Sequence, residues 1–118
     1  MALPNLNSPT KVEGKNTVQA VGTSATAIVS NSAASGKTYR IVGLWVANID
    51  GSSAADLTVD VYDGTTARHL AKTVSVPADA TLEVIGPRPL YLLEGDSLRL
   101  TASAADDLEA VCSFEEIS

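Results

Sequence analysis

An antiparallel β-sandwich is the fold this sequence predicts, on three observations. Ala, Ser and Thr fill about a third of the chain and Val with Ile roughly a seventh, and small and β-branched residues of this kind suit pleated strands better than helices. Short apolar/polar alternations recur roughly every 8–12 residues, each closed by Gly, Pro, Asn or Asp. At 118 residues, 45% hydrophobic and 19% charged, the chain can bury one core without disulfides or metal and is too apolar to stay disordered.

Residues 1–14 read as an extended arm, because Pro4, Pro9 and Gly14 among Asn5, Asn7 and Ser8 stop helices and leave no alternation. Within the arm, Leu3, Pro4 and Leu6 are candidate contacts for a neighbouring subunit, set against the simpler reading of a frayed terminus. Met1–Thr10 has neither the basic flank nor the apolar run of a signal peptide, so the mature chain is expected to begin here. The remaining residues, 15–118, form one domain.

Its strands follow from the pattern. Asn16–Val21 and Ser24–Ser30 are joined at Gly22-Thr23. Lys37–Asn48 is the strongest run, with Val42, Leu44 and Val46 on one face and Ile41, Gly43, Trp45 and Ala47 on the other. Two apolar faces place it centrally, with Trp45 as a core anchor. In Asp56–Tyr62, Leu57, Val59 and Val61 face inward, and Thr58, Asp60 and Tyr62 outward. Asp63-Gly64 is a hairpin signal, since Gly accepts positive φ without strain. Ala67–Val76 returns with Leu70, Val74 and Val76 on the inner face.

Pro77-Ala78-Asp79 turns into Thr81–Ile85, and Gly86-Pro87-Arg88-Pro89 then interrupts any ladder. Leu90–Leu93, Ser97–Ser103 and Leu108–Ile117 complete eight or nine strands with Greek-key or jelly-roll connections. Leu98, Leu100 and Ala102 point inward, as do Leu108, Ala110, Cys112 and Phe114. A one-turn helix within Ala102–Val111 is the local alternative, because Ser103 followed by Asp106 mimics a capping box.

The search for chemistry returns little. His69, the only histidine, reads as a rim residue, and no G-x-S-x-G elbow accompanies it as a triad base. Cys112 reads as a small buried hydrophobe; with one cysteine no intrachain disulfide can form, which fits intracellular assembly. One Cys and one His cannot supply the four ligands usual for zinc. Asp60 with Asp63-Gly64, or Glu94 with Asp96 and Asp106-Asp107, offers oxygens for calcium, but neither set matches an EF-hand and acidic turns also serve solubility. Glu94 with Asp106 is the pair a glycoside hydrolase would need. No cofactor is expected.

Charge excludes further classes. The net charge is −6, and Glu94, Asp96, Asp106, Asp107, Glu109, Glu115 and Glu116 face Arg99 alone in the final quarter. No basic patch is left to hold phosphates, so nucleic acid is not an expected partner. No apolar run approaches the roughly 20 residues that cross a bilayer, so no membrane is expected either. Tyr62, an aromatic on a polar face, is a candidate interface residue.

The phrases Val76-Pro77-Ala78-Asp79-Ala80-Thr81-Leu82-Glu83-Val84-Ile85, Pro89 through Ala104 and Val111-Cys112-Ser113-Phe114-Glu115-Glu116-Ile117-Ser118 resemble small β-sandwich structural proteins of tailed bacteriophage virions. The likeness runs over about two thirds of the chain, from Arg40 onward, and leaves the arm uncovered. It implies a non-enzymatic virion component assembled in the host cytoplasm: a capsid decoration (cement) protein, or a neck, collar or tail-associated one. Its implied partners are the major capsid protein or other virion proteins and further copies of itself. It carries over no catalytic residue. A carbohydrate-binding β-sandwich is the reading from a different class, on fold analogy alone.

Overall fold

The computed structural model describes residues 3–118 and contains nine strands in two antiparallel sheets. Met1 and Ala2, the start of the predicted arm, lie outside the described residues. The strands are β1 (Val12–Ala20), β2 (Thr26–Ser30), β3 (Thr38–Asn48), β4 (Ala55–Tyr62), β5 (Ala67–Val76), β6 (Thr81–Ile85), β7 (Leu90–Leu92), β8 (Ser97–Ala102) and β9 (Leu108–Ile117). One sheet is ordered β1-β9-β3-β6, with β7 also on β3; the other is β2-β8-β4-β5. The described residues contain no helix, and Ser103 to Asp107 is a turn with Asp106 at φ 67°.

Pairing is concentric: β4 with β5, β3 with β6 and β7, β2 with β8, and β1 with β9. The chain behaves as one long hairpin rolled over, so strands remote in sequence end as neighbours. Between the sheets lie Ile41, Leu44 and Val46 of β3, Leu57 and Val59 of β4, Leu98 and Leu100 of β8, and Leu108, Ala110 and Cys112 of β9, all fully buried. Burying a Leu, Val or Ile side chain of this kind contributes roughly 1.5–3 kcal/mol, so this layer is the main source of stability.

Buried amides fasten both ends of β3. Asn31 Nδ2 donates to the carbonyls of Lys37 and Leu92 at 2.9 and 3.1 Å, and its Oδ1 accepts from Ser35 Oγ. At the other end Asn48 Nδ2 donates to Ser53 and Val76, each at 2.9 Å, while Oδ1 accepts the Asp50 N–H. Each amide closes a loop whose backbone groups would otherwise be buried without partners.

Three expectations change. The first strand starts at Val12, inside the predicted arm, because β1 pairs with β9 from Val12↔Ile117 onward. Trp45 is 38% exposed and is no core anchor: Val42 is an unmatched bulge residue between the pairs Ile41↔Phe114 and Gly43↔Ser113. That extra residue resets the alternation, so Ile41 and Leu44 are both buried, and Val42 and Trp45 are both exposed. The third concerns β5. Leu70 is left over between Val59↔Ala71 and Asp60↔His69 and is exposed. Val74 lies opposite Leu57 but stays open at the sandwich edge; Val76 alone of the three is buried.

Candidate interaction surface

The outward side of the five-stranded sheet carries an apolar row. Val18 stands opposite Val111, and Val111 opposite Trp45, so β1, β9 and β3 each contribute one residue on a line across the strands. All three are exposed, Val18 by 74%. The indole lies over Gly43: a Cβ there would clash with the outer edge of the Trp45 ring, so the glycine leaves the space the ring occupies against the strand. Glu83 and Glu109 border the row, Glu83 opposite Trp45 and Glu109 opposite Ala47 and Ala20. Further along the same face, Arg40 Nε donates to Glu115 at 2.6 Å.

On the far side of the sandwich, in the four-stranded sheet, the outward polar groups of β4 and β8 pair with one another. Asp60, predicted to face solvent, is 4% exposed, because Arg99 Nε and Nη2 cover its two carboxylate oxygens at 2.8 and 3.3 Å. The same guanidinium lies 4.1 Å from the Tyr62 ring centroid, and Tyr62 Oη donates to the Gly64 carbonyl at 3.0 Å. Tyr62 is thus half-buried and tied up within its own chain. Leu3 and Leu6, by contrast, are exposed, and Pro4 is half-buried.

The predicted chemical candidates are dispersed. His69 is exposed and faces Asp60 across the β4–β5 ladder, but both oxygens of that carboxylate are already taken. Cys112 is buried, and burial pushes its thiol up to about 12, far from a thiolate nucleophile at neutral pH. Glu94 and Asp106 flank opposite ends of β8, whose six residues span roughly 20 Å; the paired-carboxylate reading fails on that separation.

Several acids of the candidate calcium sets are engaged within the chain, Asp60 by Arg99 and others by backbone N–H groups. Asp63 Oδ1 accepts the N–H groups of Thr66 and Thr65 at 2.7 and 2.9 Å, which hold its carboxyl below its usual range. Glu94 accepts from Gly36 N–H and Asp96 from Leu93 N–H. Among the described residues no three His, Cys, Asp or Glu side chains converge as metal ligands. Val18 and Val111 are what reading the sequence for reactive residues passes over; the usable signal was a β-branched side chain at an outward position of each strand.

No protein-family model matches the chain, and no curated protein does. Solved structures do overlap with it. A protein described under "Bacillus endospore appendages form a novel family of disulfide-linked pili" is 14% identical, with 92% of this chain and 87% of that one covered and a TM-score of 0.56. At that identity the likeness establishes a shared fold. A pentameric capsid protein from metagenomic phage sequences is 20% identical over 90% of this chain and 60% of its own, with a TM-score of 0.42. The Eiger TNF of S. frugiperda gives 10%, 80%, 63% and 0.37 in the same terms. Overlaps of that size carry no inference about fold or role.

Proposed function

We propose that this chain is a non-enzymatic structural subunit of a bacteriophage virion, assembled in the host cytoplasm, and more specifically a capsid decoration protein that binds and stabilises the finished shell. The observation that carries this is the Val18–Val111–Trp45 row. Apolar side chains stand outward on three adjacent, paired strands, where they cost solubility and lie outside the buried core, which is the arrangement of a surface waiting for a partner. The phrase-level likeness of the sequence to phage virion sandwiches supplies the class of partner. We read the concentric pairing as a jelly roll, an architecture at home in shells.

Leu3, Pro4 and Leu6 add a second contact, leading into the end of β1 away from the row, as an arm that orders on a neighbouring virion protein. The pilus protein sharing the fold is described as disulfide-linked; here Cys112 is the single cysteine and is buried, so copies cohere through non-covalent contact.

Counting the chain against the shell protein in purified particles, by quantitative mass spectrometry, tests the reading. A decoration protein is present in numbers comparable to the shell subunit; a neck, collar or tail protein is present in a few copies. Absence from intact particles overturns the virion reading altogether. Deleting residues 1–11 or replacing Trp45 and Val111 by Lys is expected to lower occupancy while the isolated chain stays folded.

A further inference from the structure

β1 differs from every other edge strand. The β1–β9 register runs unbroken over nine residues, from Val12↔Ile117 to Ala20↔Glu109. The ladders of β2, β5 and β6 each contain a register shift, and β7 is three residues long. Bulges and short lengths are how edges are kept from pairing with other chains, and β1 has neither.

Which of its backbone groups are free follows from the hydrogen bonds at both ends. Val21 N–H donates to the Leu108 carbonyl, and Lys11 and Ser118 donate to each other's carbonyls at 2.9 and 2.8 Å. With an unbroken antiparallel register, bonding to one neighbour alternates residue by residue. Odd-numbered residues of β1 therefore bond to β9, and Val12, Gly14, Asn16, Val18 and Ala20 turn their N–H and C=O groups away from it. All five are exposed.

We propose that this edge pairs with β1 of a second copy, antiparallel across a two-fold axis through Asn16, merging the five-stranded sheets of the two copies into one. In that register Val12 faces Ala20, Gly14 faces Val18 and Asn16 faces Asn16, so every outward N–H and C=O finds a partner. Shifting the axis by one residue or more either way leaves some of them unpaired. Val18 lies over Gly14, beside which there is open space. On the inward side Glu13 faces Gln19 and Lys15 faces Thr17, so no like charges oppose. β1 carries one acid and one base in a chain of net charge −6, which makes it a neutral strip where two acidic molecules can meet. The contact is isologous, as two-fold interfaces are, and it stands or falls independently of the virion reading.

Analytical ultracentrifugation of the purified full-length chain is expected to show a dimer. Asn16→Pro removes an outward N–H that the monomer does not use; compared with Asn16→Ala, which likewise gives up the Ser113 Oγ hydrogen bond to Asn16 Oδ1, thermal stability holds while association weakens roughly 30-fold or more, from the loss of the two bonds at the axis. Single cysteines fix the register: Asn16→Cys forms an intermolecular disulfide on mild oxidation, because directly paired Cα atoms sit about 5.5 Å apart, and Val18→Cys does not. Cys112, being buried, stays out of the reaction. A monomer from micromolar to millimolar concentration overturns the proposal. So does a dimer in which Val18→Cys crosslinks as readily as Asn16→Cys, a result that stands even if the proline variant fails to fold.

Discussion

β9 and β5 are both ten residues long and read alike as sequence, yet they end in opposite conditions. β9 lies between β1 and β3 with its alternation intact: Leu108, Ala110, Cys112 and Phe114 are buried, and Glu109 and Val111 are exposed. β5 is an edge, interrupted twice on β4, with most of its residues open to solvent. Thr73 takes φ 46° and donates its N–H to Thr58 Oγ1 at 3.0 Å, spending on a local kink what would otherwise be a ladder bond. Alternation reports burial along a strand that carries no extra residue of its own: the Val42 bulge lies on β3 and leaves β9 in step, whereas β5 carries its own extra residues and the same letters become surface.

The largest test of this contrast is a pair of truncations. Leu44→Ala, beside β9 in the core, is expected to cost about 2–5 kcal/mol in urea or thermal denaturation. Leu70→Ala on β5, an apolar residue of the same size, is expected to fall within about 0.5 kcal/mol. Comparable losses would mean that the β5 bulge does not remove Leu70 from the packed layer.

Next in size is Asn48→Ala, which leaves the Ser53 and Val76 carbonyls without their shared donor. Buried groups stripped of partners cost roughly 1–3 kcal/mol, so the midpoint shift should lie below that of Leu44→Ala. Trp45→Ala follows, at about 1–2 kcal/mol, because a partly exposed ring gives up only part of its transfer energy. A loss as large as that of Leu44→Ala would mean that the indole packs inward and that the apolar row is shorter than described.

The smallest expected effect separates the charges of the two strands. Glu116 near the end of β9 accepts from Lys15 Nζ at 2.9 Å and Lys37 Nζ at 3.0 Å. The Lys15 hydrogen bond, opposed by burial and seconded by Lys37, holds its carboxyl below the usual 4.5. A carboxyl whose folded-state value is depressed stabilises the fold above its unfolded value, and the contribution drains away as pH falls through the lower, folded one. Acid denaturation of Glu116→Gln should thus lose part of its pH dependence below about 4.5. Lys72→Gln on β5, where Lys72 has no ion pair among the described residues, should leave the curve unchanged.

Most of the strand framework was legible because turn chemistry is local. Asp63-Gly64, Pro77-Ala78-Asp79 and Glu94-Gly95-Asp96 each close a strand where their residue types demand it, with Gly64, Asp79 and Gly95 at positive φ. The bulge at Val42 was not legible, since which of two adjacent apolar residues is the extra one depends on its register with Ser113 and Phe114 of β9, more than seventy positions away. The same register puts Trp45 outside. The Asp60–Arg99 pair was hidden for a related reason: β4 and β8 meet only after the chain has rolled over, so an outward aspartate reads as solvated until its partner is in place. For the apolar row, strand parity shows that Val18 and Val111 point outward, but only the β1–β9 pairing makes them neighbours.

The last strand of the chain is also the middle of its sheet. β1 and β3 share no hydrogen bonds with each other, and β9 alone joins them into one sheet. Both the Val18–Val111–Trp45 row and the straight β1 edge therefore depend on β9 being seated, and neither surface belongs to any one strand alone.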